Sequence, residues 1–448
     1  MMKPSKYNHF IPYSDDQHIA YNALTNSLAL IDKTKLESYY AFCNDGKQLE
    51  EDFVADLRKG MFLLNDDLNE QNILRHKLFN SRYNSDYLAL TIAPTNDCQF
   101  RCVYCYEKDV IKNDYMTEGV QDKLVELLKS RIGLIKSFQV VWYGGEPLMA
   151  FEIIKSLSKR FIEICDENKI NFNASMITNG YLLNQEILSR LNELKITSLQ
   201  ITIDGLPEVH DRMRPHKDGY GTFDTIMNNL KNGYELLPTV SLRINIDKDN
   251  VTAGQGIYNY LNENNMLGKI RPYYGQITND TNSSHDSQCL NMCNFSEISY
   301  DFNYNIYGED ANTPVQYPML KSNFCGADMK NSYVVDAGGW LYKCWCDIGV
   351  DKGRVGSLLN NAYIGDINTL HNYMLFDPTS TAPCMDCDIL PICMGGCPFR
   401  RLTKNEDKCS IHKYVLSKCL KNAVESFKKM QSISKSDTYD DDNVVYQN

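Results

Sequence analysis

The 448-residue chain is too long for one domain of ordinary size, and its 43% hydrophobic and 23% charged residues exclude a disordered polypeptide. Its 46 Lys and Arg against 57 Asp and Glu leave a net charge of −11, a surface that does not attract nucleic acid or anionic lipid. No apolar run reaches the ~18 residues of a membrane span and 1–13 lacks a signal-peptide core, so a cytoplasmic protein is expected, with no nucleic-acid or membrane partner.

Residues 1–80 read as a separate small unit. Strands over 18–22 and 27–31 flank a turn at Asn26, and Leu49, Phe53, Val54 and Leu57 repeat at helical spacing. The apolar run 61–64 adds a further strand, which makes a winged-helix-like pattern. The polar stretch 65–86 is a connector with one short helix around 73–79. Over 86–280, strands at 87–93, 139–143, 175–178, 199–203, 241–246 and 270–277 alternate with helices. One of these carries Phe151, Ile154, Leu157, Phe161, Ile164 and Cys165 on a single face. This alternation predicts a parallel α/β sheet, either a partial barrel or a doubly wound sheet, with functional loops at the strands' C-terminal ends. Residues 281–320 read as a polar, irregular bridge, 321–430 as a metal-organised domain rich in cysteine and glycine, and 431–448 as a disordered acidic tail.

Sixteen cysteines in a reducing compartment point to metal ligands rather than disulfides, and they are clustered. Cys98, Cys102 and Cys105 are spaced C-x3-C-x2-C directly after the first barrel strand. Three thiolates leave one iron of a 4Fe-4S cluster open, and an amino acid's amine and carboxylate can chelate that iron. A structural zinc site takes four closed ligands, and no fourth Cys or His stands beside this loop.

This loop resembles the cluster motif of the radical S-adenosylmethionine (SAM) enzymes, including Tyr104 before the third cysteine. Gly144, Gly145, Glu146 and Pro147 match the segment that binds the SAM amino group in that family. The resemblance implies a partial (β/α)6 TIM-like barrel and assigns Cys98, Cys102 and Cys105 to the catalytic cluster. Thr202, Asp204 and Arg214 fall in the family's strand-four segment. By the same resemblance, Thr202 holds the ribose or methionine end, Arg214 pairs with the carboxylate, and the Ile244 backbone touches adenine. Charge complementarity independently favours Arg214 in that role.

Cys384, Cys387, Cys393 and Cys397, spaced C-x2-C-x5-C-x3-C, follow Cys325, Gly339 and Cys344 in a pattern that matches the SPASM extension. That resemblance implies two auxiliary 4Fe-4S clusters, three in all with the SAM-binding one. The nearer would take Cys325, Cys344 and Cys397, with Cys346 or an open iron completing it. The outer would take Cys384, Cys387 and Cys393 with Cys409, or alternatively Cys419. A zinc ribbon is the competing reading, since thiolate quartets suit both metals. Cys43 and Cys165 read as packing, Cys289 and Cys293 are spaced i and i+4 in the bridge with metal or substrate binding as their minority reading, and the eight histidines show no ligand spacing.

The N-terminal pattern resembles the precursor-recognition domain of maturases that act on ribosomally synthesised peptides, with a cap on the barrel as the alternative. The expected activity is generation of a 5'-deoxyadenosyl radical and an intramolecular cross-link, thioether or carbon-carbon, in a precursor peptide with a leader. An external donor such as flavodoxin or ferredoxin would supply electrons. The alternatives are a peptide epimerase, an anaerobic sulfatase-maturing oxidase and a non-catalytic iron-sulfur carrier or scaffold. The oxidase is weakened because Trp345, not an acid, follows Cys344. The SAM-binding segments argue against the carrier.

Overall fold

A computed structural model of the protein describes residues 2–278, 286–308, 314–360, 365–404 and 408–435. Its centre is a row of six parallel strands: β1 (Tyr87–Ile92), β2 (Ser137–Trp142), β3 (Asn171–Thr178), β4 (Ile196–Thr202), β5 (Thr239–Ile246) and β6 (Ile270–Gln276). They lie side by side in chain order. Parallel neighbours require a crossover, and helices such as Glu118–Lys129 and Phe151–Glu167 supply it. Leu88, Leu90 and Ile92 of β1 are buried in one core with Val120 and Leu124 of the first helix and Leu157 and Phe161 of the second. Tyr87, Ala89 and Thr91 alternate with them, half-buried on the opposite face. The registers Ile92↔Trp142, Trp142↔Met176 and Thr178↔Ile201 bring the C-terminal ends of β1 to β4 to one edge.

The sheet does not end at β1. Ser332–Val335 adds parallel to it, and Trp340–Tyr342 and Gly356–Ser357 follow antiparallel, so the cysteine-rich domain is stitched to the barrel by backbone hydrogen bonds.

The bridge expected over 281–320 is corrected where the structure describes it. Met292–Tyr307 is a 16-residue helix capped by the Asn291 side chain, with Met292, Phe295, Ser299, Tyr300 and Phe302 buried along one face. Phe302 stacks on Tyr274 of β6 at 4.2 Å, so this helix covers the last strand. Residues 281–285 and 309–313 lie outside the described residues. The tail expected from 431 is corrected in part, because helix His412–Lys435 runs through its first residues. The remainder, 436–448, lies outside the described residues.

The N-terminal unit has more strands than its sequence suggested. Gln17–Asn22 is the middle of a three-stranded antiparallel sheet between Asn8–Pro12 and Ser27–Asp32, and Met2–Pro4 pairs with Leu63–Asn65. Buried Asn22 ties these pieces together, its amide nitrogen donating to Ser5, Asn8 and the Met61 carbonyl. The boundary drawn at 80 falls inside helix Glu70–Tyr83. Leu74 and Leu78 of that helix share a core with Tyr7, Ile19, Ile389, Leu390, Ile392, Leu416 and Leu420. Lys6 and Gln71 donate to the Met385 carbonyl, and Arg75 pairs with Asp377 at 3.0 Å. The unit is thus packed onto the outer cysteine loop, and its apolar core is continuous with that domain.

Candidate active site

Cys98, Cys102 and Cys105 lie on the loop that leaves β1, and backbone hydrogen bonds hold that loop against 213–217. Arg101 N–H donates to the Pro215 carbonyl, Val103 to Met213, and Lys217 back to Gln99. Burial pushes all three thiols up, that of Cys105 to about 12, and Arg214 pulls Cys102 and Cys105 the other way. Fixed positive charge beside buried thiols favours the thiolate that an iron requires.

Gly144 and Gly145, at the end of β2, touch this loop through bare backbone. Gly144 has φ +109°, and a Cβ on Gly145 would sit 2.3 Å from the Asp97 carbonyl oxygen. Glu146 is fully buried and spends both carboxylate oxygens within the protein. It accepts from Leu148 N–H and Thr178 Oγ1 on one oxygen and from Asn179 N–H on the other. Its side chain therefore locks the turn to β3. Pro147 starts the short helix that follows.

Tyr104, Asp204 and Arg214 meet at the barrel mouth. The Tyr104 hydroxyl donates to Asp204 Oδ2 at 2.5 Å and accepts from Arg214 Nη1 at 2.8 Å and Asn245 Nδ2 at 2.9 Å. Burial raises Asp204 to about 6, while Arg214 and the Tyr104 hydrogen bond pull it down. His210 is a strut: its Nδ1 accepts from the Asp204 N–H and its Nε2 meets Thr222, whose hydroxyl donates to the Arg214 carbonyl. Burial and Arg214 both drive this imidazole toward neutrality. His216 stacks on Tyr220 at 4.1 Å. Thr202 closes β4 opposite Arg243, and the Ile244 side chain is wholly in the core, which leaves its backbone for contact.

The group fits a zwitterionic ligand. Asp204 Oδ1, Arg214 Nε, Gln99 Oε1 and Asn96 Oδ1 are buried without a hydrogen-bond partner beside a glycine turn that a side chain would fill. Asn245, Thr178 and Asn179 escaped sequence reasoning. Asn245 follows Ile244 at the end of β5, and that position was the one signal available.

The remaining cysteines fall into two groups. Cys325, Cys344 and Cys397 act electrostatically on one another, and Cys346 acts on Cys344. Cys384, Cys387, Cys393 and Cys409 form the second group. Cys419 lies elsewhere, fully buried with Tyr300, Val315 and Val415. Among the described residues, no three Cys, His, Asp or Glu side chains converge as tightly as a single metal ion needs. Thiolates on a four-iron cluster sit at separate irons and stand further apart. Between the first loop and the nearer group lies Tyr143, which feels Cys346, Cys105 and Cys344, and Trp345 stacks on it at 5.5 Å. Cys165 is core, Cys289 is half-buried and Cys293 is exposed. No helix among the described residues is long and apolar enough to cross a membrane.

Residues 92–251 match the Radical SAM superfamily model. The chain is 32% identical over 140 residues to an uncharacterized protein of Methanocaldococcus jannaschii, covering 31% of this chain and 46% of that one, so it spans about half of that relative's length. A cysteine-type anaerobic sulfatase-maturating enzyme of Clostridium novyi is 22% identical over 334 residues, 69% of this chain and 87% of the relative. Among solved structures, native anSMEcpe with bound AdoMet superposes with a TM-score of 0.57 at 18% identity, over 78% of this chain and all of that one. Streptococcus suis SuiB bound to precursor peptide SuiA does so with 0.53 at 16% identity, over 91% and 98%. At these identities the structures speak for the fold alone.

Proposed function

We propose that this chain, whose residues 92–251 match the Radical SAM superfamily model, is a peptide maturase that cross-links a ribosomally synthesised precursor. The observation that carries this reading is the three-thiol loop, one ligand short of a cubane, held beside unpartnered Asp204 and Arg214 atoms. A reduced 4Fe-4S cluster and SAM held there would supply the radical chemistry, 5'-deoxyadenosyl in kind, for hydrogen-atom abstraction from the substrate.

The chain's own residues hold and orient. Cys98, Cys102 and Cys105 would bind three irons as thiolates. Arg214 would pair with the SAM carboxylate, and the Gly144–Gly145 backbone would admit its amine. The barrel mouth keeps these groups dry and aligned, which is where a positioned reaction gains most of its rate. Cys325, Cys344, Cys397 and Cys346 would hold the nearer auxiliary cluster, and Cys384, Cys387, Cys393 and Cys409 the outer one. Clusters held by these cysteines would supply a site for the electron left by cross-linking, and the external donor would be a flavodoxin or ferredoxin.

The peptide reading draws support from SuiB, crystallised with its precursor at 91% coverage of this chain. In the N-terminal unit, Ser27–Asp32 pairs on one side only among the described strands, an edge to which a leader strand can add. Because this unit shares a core with the outer cysteine loop, hydrogen exchange on the full chain is a cleaner test than truncation. Added precursor should protect 27–32, and unchanged exchange there would reject the recognition role.

Sulfatase maturation is the second reading, favoured by the Clostridium novyi relative over 69% of this chain. Trp345 occupies the place expected for an acidic base and is engaged with Tyr143. Co-expression with a candidate precursor peptide, sought among short open reading frames near the gene, separates the readings by mass. A cross-link removes two hydrogens, an epimerisation leaves the mass unchanged, and conversion of a cysteine to an aldehyde removes its sulfur.

A further inference from the structure

Beside the nearer auxiliary cysteines lies a buried charge group in which, among the described residues, arginines outnumber the carboxylate they pair with. Arg82, in the last turn of helix Glu70–Tyr83, is 1% exposed and Asp328 is fully buried, with 3.9 Å between them. Arg401, its side chain 7% exposed, donates from Nη2 to Asp328 Oδ1 at 2.9 Å. Arg82 gives Nη1 to the Met374 and Phe376 carbonyls and Nη2 to Asn323 Oδ1. Lys343, 3% exposed, gives its ammonium to the Met329 and Ser332 carbonyls.

Carbonyls solvate a cation without neutralising it. Two guanidiniums against one buried carboxylate therefore leave an excess of positive charge, which Asp377 offsets in part from beyond Arg82. Burial draws Lys343 down to about 7, while Asp328 and Cys325 pull it back up. Arg82 Nε, Arg401 Nε and Nη1, and Asp328 Oδ2 have no hydrogen-bond partner. Charge buried this deeply is costly unless an opposite charge lies close. Along the chain, Asp328 is three residues from Cys325, Lys343 adjoins Cys344, and Arg401 is four residues from Cys397. Asp328 and Lys343 act electrostatically with Cys325, and Cys325 with Cys344 and Cys397.

We propose that Arg82, Arg401 and Lys343, offset by Asp328, are the counter-charge of the iron-sulfur cluster that Cys325, Cys344 and Cys397 would hold, and that they set its reduction potential. The inference rests on the ligand reading given under Proposed function. A four-iron core of charge 2+ on three or four thiolates is a net anion. Taking up one electron makes the core 1+ and adds one negative charge, so fixed cations favour the reduced form. The arginines are positioning residues that act on the cluster through space.

The test is a dithionite titration of the reconstituted full chain, followed by electron paramagnetic resonance, with iron and sulfide counted first. Arg401→Gln should raise the oxidised-to-reduced ratio of one auxiliary cluster about tenfold at a fixed potential, a midpoint lower by about 59 mV for one electron. The other two clusters should hold their midpoints, and Arg401→Lys should stay at the wild-type value. Asp328→Asn should move the same cluster the opposite way, a sign reversal that general loosening does not produce. An unchanged midpoint in iron-replete Arg401→Gln, or shifts of one sign in both variants, would overturn the proposal. If Arg401→Gln emerges without iron, Arg82→Gln is read on the same terms. Iron lost from both Gln variants but kept in Arg401→Lys and Arg82→Lys supports counter-charge, and iron lost from all four overturns it. A wild-type chain with about four irons would instead show that the ligand reading itself has failed.

Discussion

Gly145→Ala tests the contact on which the active-site reading depends. The new Cβ would stand 2.3 Å from the Asp97 carbonyl oxygen and 2.7 Å from that of Asn96, all against backbone that cannot swing aside. Carbon-oxygen contacts sit at about 3.3–3.6 Å, so the loop must retreat by about 1 Å at the residue preceding Cys98. Overpacking of this kind costs ~1–3 kcal/mol, which a domain with about 5–15 kcal/mol of stability survives. Geometry is less forgiving, since a misplacement of about 1 Å can cost about 10²-fold in rate. The variant should therefore keep its circular dichroism spectrum but form 5'-deoxyadenosine from SAM about 10²-fold more slowly under dithionite. Gly46→Ala, at φ +65° with nothing within 4 Å of the new Cβ, is the control for backbone strain alone and should leave the rate unchanged. A Gly145→Ala protein with wild-type iron and wild-type SAM cleavage would refute the close-approach argument.

Cys346→Ala should alter the paramagnetic signal of the nearer auxiliary cluster in enzyme without substrate, because one iron loses a thiolate. An unchanged spectrum would point to an open iron. Burial holds Glu107 up at about 7 against an ordinary 4.5. The native state then binds the extra proton, so this residue's contribution to stability falls as pH rises from about 4.5 to about 7 and stays low above that. Glu107→Gln should gain ~1–3 kcal/mol more at pH 8 than at pH 4.5 in urea titrations, and a gain independent of pH would contradict the buried carboxyl. Leu78→Ala, in the shared core, should cost about 2–5 kcal/mol and lower hydrogen-exchange protection both at 19–24 and at 389–394. Loss confined to the N-terminal residues would show that the two parts fold independently.

What could be read from the sequence was chemistry concentrated in short motifs and strands rich in branched residues. The cysteine loop, the Gly144–Pro147 turn and the six barrel strands announce themselves locally, because spacing and alternation are local properties. Asn8–Pro12 is half-buried along most of its length and mixes Asn, His and Pro with Phe and Ile, so it lacks the alternation that marks a strand. Met292–Tyr307 is built from Asn, Ser and Tyr, weak helix formers, and is held by burial of one face against β6 and the C-terminal helix rather than by propensity. Asn245 and Arg82 gain their roles only when distant segments meet, as does the continuity of Leu78 with Ile392, and no periodicity encodes such a meeting.

The most direct test of the account is reductive SAM cleavage by the reconstituted chain, wild type beside the Cys98→Ala, Cys102→Ala, Cys105→Ala triple variant. Wild type should release 5'-deoxyadenosine and methionine, and the triple variant should release none above the enzyme-free background. Cleavage by the triple variant at the wild-type rate, or none by an iron-replete wild type, would contradict the assignment of this loop as the radical-generating site.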